Sequence, residues 1–119
     1  METLNAIEGL AALAHPGRLA IFRALVRAGP DGLAAGRLGE QVGMAGSTLS
    51  NNLAILSRSG LATARRDGRC IIYAANFGHM TALMAFLLED CCNGAAAVCE
   101  PLAAAMARSA CCPTQPKAS

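Results

Sequence analysis

The chain has 119 residues, the size of one domain with a tail, and 54% of them are apolar. That fraction overstates the core, because 26 residues are Ala and only four are aromatic; so little bulk favours association with a second copy. The longest bulky apolar run, Met80 to Leu88, is half of what a bilayer span requires, and a net charge of +2 singles out no partner by itself.

Leu4, Ile7, Ala11 and Ala14 recur at helical intervals and predict a first helix with Thr3 as its N-cap. Pro16 suits the first turn of a second helix, capped by His15 and carrying Leu19, Phe22 and Leu25-Val26. Ala28-Gly29-Pro30-Asp31-Gly32 ends it. A short third helix, about Leu33 to Val42, is closed by Gly43. Ser47 to Ser59 forms a fourth, with Leu49, Leu53 and Leu56 on one face and Gly60 as its stop. Two runs of strand character, Leu61–Arg66 and Arg69–Ala74, are joined by Asp67-Gly68, a strong hairpin signal because both turn positions need positive φ. Within the second run, Cys70 reads as a small buried hydrophobe. Met80, Leu83, Met84, Leu87 and Leu88 then fall at i, i+3, i+4, i+7 and i+8, a last core helix with His79 capping its start and Asn93-Gly94 breaking it. Ala95 to Ala110 has good helix formers but little apolar bulk, and Cys112-Pro113 to Ser119 reads as a loose tail.

The order is therefore α-α-α-α-β-β-α: mainly α with a β-hairpin wing, a winged helix-turn-helix. Residues 1–90 form the expected domain and 91–119 a Cys-rich C-terminal segment. Charge supports a nucleic-acid face. Residues 1–46 are neutral, whereas 47–76 carry Arg58, Arg65, Arg66 and Arg69 against Asp67 alone. A helix that reads the major groove needs small polar side chains on its outer face and a buried inner one. In Ser47 to Ser59 the leucines pack inward and leave Ser47, Thr48, Ser50, Asn51 and Asn52 free; Asn can bond adenine N6 and N7 together. Arg65, Arg66 and Arg69 flank the wing turn, where guanidinium groups reach phosphates or a narrow minor groove. The same charges would also block edge pairing of the hairpin.

All six cysteines lie at or beyond Cys70, and four are neighbours, Cys91-Cys92 and Cys111-Cys112. Adjacent cysteines staple nothing distant, so a disulfide framework is not expected. The N-terminus lacks the basic start and unbroken apolar core of a signal peptide, which makes the expected location cytoplasmic. In reducing cytosol, clustered thiols serve as soft-ion ligands or redox groups. An enzyme is not indicated: the chain has no Cys-x-x-Cys and no phosphate-binding glycine loop.

Three blocks in this order resemble the ArsR/SmtB family of winged-helix repressors. They are Ala12-Leu13-Ala14-His15-Pro16-Gly17-Arg18-Leu19-Ala20-Ile21-Phe22, then Gly46-Ser47-Thr48-Leu49-Ser50-Asn51-Asn52-Leu53-Ala54-Ile55-Leu56, then Gly60-Leu61 with Arg65-Arg66-Asp67-Gly68-Arg69. The resemblance covers roughly Leu4 to Leu88 and implies a homodimer joined through the first and last helices, here through Leu4, Ile7, Met80, Leu83, Met84 and Leu87. It also implies binding to double-stranded operator DNA, an inverted repeat, when ligand-free, and release when a metal or metalloid binds. Ala45 stands where relatives usually place a Ser before the recognition helix, and Asn51-Asn52 replaces a frequent Arg-His pair.

The family's Cys-x-Cys arsenic site is missing from Leu33 to Val42, and of its Asp and His zinc ligands on the last helix only a His79 counterpart exists. Glu89-Asp90-Cys91-Cys92-Asn93-Gly94 with Cys99 resembles instead the branch that senses arsenite through a Cys-Cys pair after the last core helix and a third Cys beyond. The chemistry agrees, since trivalent arsenic takes three sulfurs in a pyramid. Asn93-Gly94 supplies the turn that brings Cys99 back. Cys111 and Cys112 could add a ligand, bind a second ion, or catch a methylated arsenical needing two sulfurs. The expected inducer is arsenite, with antimonite or methylarsenite as companions; a methylarsenite-selective or thiol-redox-sensing repressor with the same DNA-binding head is the alternative.

Overall fold

The computed structural model describes residues 1–88, 101, 104 and 105. Its elements are α1 (Thr3–Leu13), α2 (Pro16–Ala28), β1 (Leu33–Ala34), α3 (Ala35–Val42), α4 (Gly46–Arg58), β2 (Ala62–Asp67), β3 (Cys70–Ala75) and α5 (Phe77–Leu88). Met1–Phe86 make one compact unit and Leu87–Ser119 a second; the sequence reading drew the first to residue 90. The expected winged helix-turn-helix is present, with one addition. β1 joins the hairpin in an antiparallel sheet of order β1-β3-β2, pairing Leu33 with Tyr73 and Ala34 with Ile72. Two residues give no periodicity to read, so Leu33 looked like the start of a helix that begins at Ala35.

Helix α1 buries Ala6, Gly9 and Ala12, its small residues, and turns its large ones outward. Close packing explains the choice: a Cβ on Gly9 would already stand 3.4 Å from Leu83 Cδ2 of α5. Leu4 is consequently 71% exposed and Ile7 53%. The expected cap is corrected here: Thr3 is the first helical residue, and Glu2, in the N-cap position, makes no side-chain cap bond. In α2 the expectation holds. His15 Nδ1 accepts from the Gly17 N–H at 3.1 Å and the Arg18 N–H at 3.4 Å, with Pro16 in the first turn.

Ile21, Leu25, Leu38, Leu53, Leu56 and Leu61 are the largest fully buried side chains and join α2, α3, α4 and the start of the wing in one core. Each such burial contributes about 1.5–3 kcal/mol before entropy is counted. In the wing, Asp67 pairs with Cys70, so the turn is Gly68-Arg69 and not Asp67-Gly68. Gly68 supplies the positive φ of 64° at the first turn position, which leaves Asp67 in the ladder and Arg69 at the tip. Cys70, expected to be buried, is exposed because it closes the hairpin.

Two expectations for α5 are also corrected. Asn76, not His79, caps it: Asn76 Oδ1 accepts from the His79 N–H at 3.1 Å. The His79 ring instead covers Gly60, where a Cβ would lie 2.8 Å from its Cε1. Leu83, placed at the dimer junction, is 3% exposed and belongs to the protomer's own core beside Gly9. Replacing Leu53, 1% exposed at the centre of α4, by Ala should cost about 2–5 kcal/mol in urea unfolding, whereas Leu4→Ala should cost the isolated protomer less than about 0.5 kcal/mol.

Candidate nucleic-acid interface

The turn between α3 and α4 is built by close approach. Gly43 takes φ 71° and ends α3, and the Met44 N–H donates to the Gly39 carbonyl at 2.9 Å. A Cβ on Gly39 would stand 2.5 Å from the Met44 carbonyl oxygen, so only Gly lets the chain fold back this tightly. Helix α4 then starts behind Ala45, which offers no side-chain cap. Its first-turn N–H groups lack a capping oxygen, leaving the positive end of the helix open to an anion.

Leu49, Leu53 and Leu56 face the core as expected. Ser47, Thr48, Ser50 and Asn51 are exposed on the outer face, and exposed Arg58 ends the helix. Asn52 is the exception. Expected to be free, it is only 6% exposed; its Oδ1 accepts from Arg18 Nη1 at 3.3 Å and its Nδ2 donates to Met44 Sδ at 3.3 Å. It cannot reach a base from there. The cause is its position one turn from both Leu49 and Leu56, on the edge of the buried face.

The wing arginines differ among themselves. All three are exposed, but Arg65 Nη2 donates to the Asp31 carbonyl at 3.2 Å and ties the hairpin to the loop before β1. Ser50, Leu49 and Leu53 of α4 share one groove with Arg69, Cys70, Ile71 and Tyr73 of the wing. The fold thus brings Ser50 of α4 and the tip of the hairpin, separate in sequence, to one place. Arg18 and Met44 were missed as members of this neighbourhood, although Arg18 ends the His-Pro-Gly-Arg block that the sequence displays.

Cys91, Cys92, Cys99, Cys111 and Cys112 lie outside the described residues. Among the described residues no group of three or more His, Cys, Asp or Glu is placed to hold a metal ion, and no helix is long and apolar enough to cross a membrane.

Residues 13–65 match the model of a helix-turn-helix domain. The HTH-type transcriptional regulator Rv0081 of Mycobacterium tuberculosis is 42% identical over 62 residues, 52% of this chain and 53% of that protein. Its crystal structure aligns at TM-score 0.57 with 30% identity, covering 90% of this chain and 100% of that one. NolR from Sinorhizobium fredii aligns at TM-score 0.56 with 36% identity, covering 71% of this chain and 82% of that one. The chain belongs to the ArsR/SmtB family of helix-turn-helix transcriptional regulators.

A further ArsR/SmtB-type neighbour, Mb0332 from Mycobacterium bovis, is described as a possible ArsR-family regulator with a homodimeric winged helix-turn-helix DNA-binding domain. It aligns at TM-score 0.57 with 27% identity, covering 72% of this chain and 80% of that one. Rv0081 is thus named as an HTH-type transcriptional regulator and Mb0332 as a possible ArsR-family one. The chain spans about half the length of the curated relatives it matches. Within this family chain His15 is the one side-chain cap on α2, so His15→Ala should lower stability by about 0.5–2 kcal/mol in urea unfolding, with the slope unchanged.

Proposed function

We propose that this ArsR/SmtB-family chain is a homodimeric transcriptional repressor that binds an inverted-repeat operator when ligand-free and lets go on binding trivalent arsenic. The observation that carries the DNA half is the groove that Ser50 of α4 shares with Arg69 of the wing tip, a surface that one partner would meet. In this reading Asn51 bonds a base edge, with Ser47, Thr48 and Ser50 beside it on base edges or phosphates. Arg58, Arg66 and Arg69 meet phosphates or a narrow minor groove. Arg65, held by the Asp31 carbonyl, fixes the wing's angle and contributes its charge.

Dimerisation is supported by the outward apolar side chains Leu4, Ile7 and Leu10 of α1, which a lone protomer leaves in water. Met80 and Met84 of α5 are only partly buried, and Leu87 is 53% exposed. Two reading helices related by a two-fold axis would enter successive major grooves about 34 Å apart.

The metalloid half is supported by sequence. Cys91, Cys92 and Cys99 would supply three thiolates, the donor number and softness that trivalent arsenic takes as arsenite; antimonite, of the heavier congener, would use the same three and methylarsenite two. Release requires the DNA-free state to hold the ligand more tightly, by about 1–3 kcal/mol for a useful response.

In fluorescence anisotropy with a duplex enriched by the chain from a random pool, Asn51→Ala should cost about 1–3 kcal/mol on that duplex and little on a shuffled one. Arg66→Ala should weaken both duplexes alike and reduce the salt slope by about one. Cys91→Ser and Cys92→Ser should each keep DNA affinity and abolish release by arsenite. Release that survives both substitutions would sink the metalloid assignment, and release by peroxide alone would replace it with a disulfide switch.

A further inference from the structure

Arg18 is placed like a bolt through three elements. Its Nε donates to the Ala12 carbonyl of α1 at 2.6 Å, its own backbone sits in the first turn of α2, and its Nη1 reaches Asn52 in the middle of α4 at 3.3 Å. Asn52 passes the connection on to Met44 Sδ in the helix-turn-helix turn. Met44 in turn lies against Gly17, where a Cβ would stand 2.9 Å from its Cε. Pro16, Gly17 and Arg18 thus all serve one junction: a preset helix start, room for Met44, and the guanidinium.

The leucines of α4 and this polar link constrain different motions. Leu49, Leu53 and Leu56 hold the helix at a distance from the core, but apolar contacts are non-directional and tolerate small rotations about the helix axis. Hydrogen bonds to Asn52 are directional. The bonds from Arg18 and to Met44 meet on the one Asn52 side chain and fix the roll of the helix, and with it the direction in which the adjacent Asn51 points. Base recognition needs such placement to within about 0.5 Å.

We infer that Arg18 and Asn52 are a positioning pair for sequence discrimination: neither touches DNA, and together they set the roll of α4 that aims Asn51 and Ser47 at the bases. The inference rests on the proposal that α4 reads DNA, and one experiment separates the two. Anisotropy is measured across a salt series on the duplex enriched by the wild-type chain and on a shuffled duplex of equal composition, for Arg18→Lys, Arg18→Met, Asn52→Leu, the Arg18→Met/Asn52→Leu double variant and Asn51→Ala.

The expected result is a loss of about tenfold in the enriched-to-shuffled affinity ratio for each single variant. The salt slope stays at the wild-type value, and the double variant loses no more than the worse single one, since both break the same link. Lysine is included because it keeps the charge that the apolar variant removes, yet cannot reproduce the forked geometry. An unchanged ratio in Arg18→Lys and Asn52→Leu, with only a lower melting temperature, overturns the inference in favour of plain structural support. A salt slope reduced by about one in Arg18→Met overturns it in favour of a phosphate contact. If the wild-type chain enriches no duplex, or Asn51→Ala leaves the ratio intact, the reading by α4 fails and takes the pair with it.

Discussion

Helical periodicity in a single thirteen-residue segment is the constraint on which the molecule turns. Once Leu49, Leu53 and Leu56 are buried against α2 and the start of the wing, a 3.6-residue repeat forces Ser47, Thr48, Ser50 and Asn51 outward together. No separate device is needed to assemble the polar face. Burial of three leucines creates it, and the same burial presses α4 close enough to α2 for Arg18 to meet Asn52. The exposed chemistry is a consequence of the hidden packing.

The wing is subject to a second constraint, the count of residues in its turn. With Gly68 in the left-handed conformation at the first turn position, pairing extends to Asp67 and Cys70, and Arg69 is carried to the tip. A one-residue change of register would exchange the faces of every side chain on the hairpin. Arg65 then secures the sheet from the other direction, spending one of its donors on the Asp31 carbonyl. Arg66 and Arg69 stay exposed.

Helix α1 is organised in reverse to an ordinary amphipathic helix of an isolated domain. Its small face is the inner one, and its bulky residues Leu4, Ile7 and Leu10 are in water in the single chain. A chain with so few aromatic residues gains little by hiding three aliphatic ones behind an inner face already filled by Gly9 and Leu83. Covering them with a second copy suits both the composition and the proposed two-fold reading of DNA.

The sequence by itself determined the order of the helices, the helix-turn-helix, the hairpin and the cap on α2, because each depends on near neighbours: apolar spacing, Gly after a helix, Pro and His before one. It also made the thiol cluster legible as chemistry, since adjacent cysteines need no fold to be counted. Tertiary structure alone decided which polar or apolar residues were truly outside. Asn52 and Leu83 carry local patterns that fit an exposed role, yet contacts with Arg18, 34 positions away, and with Gly9 of α1 place both inside. β1 is likewise a product of distant pairing, too short for any periodicity of its own. Periodicity tells which residues share a face; only the packing of one element on another tells which face meets solvent.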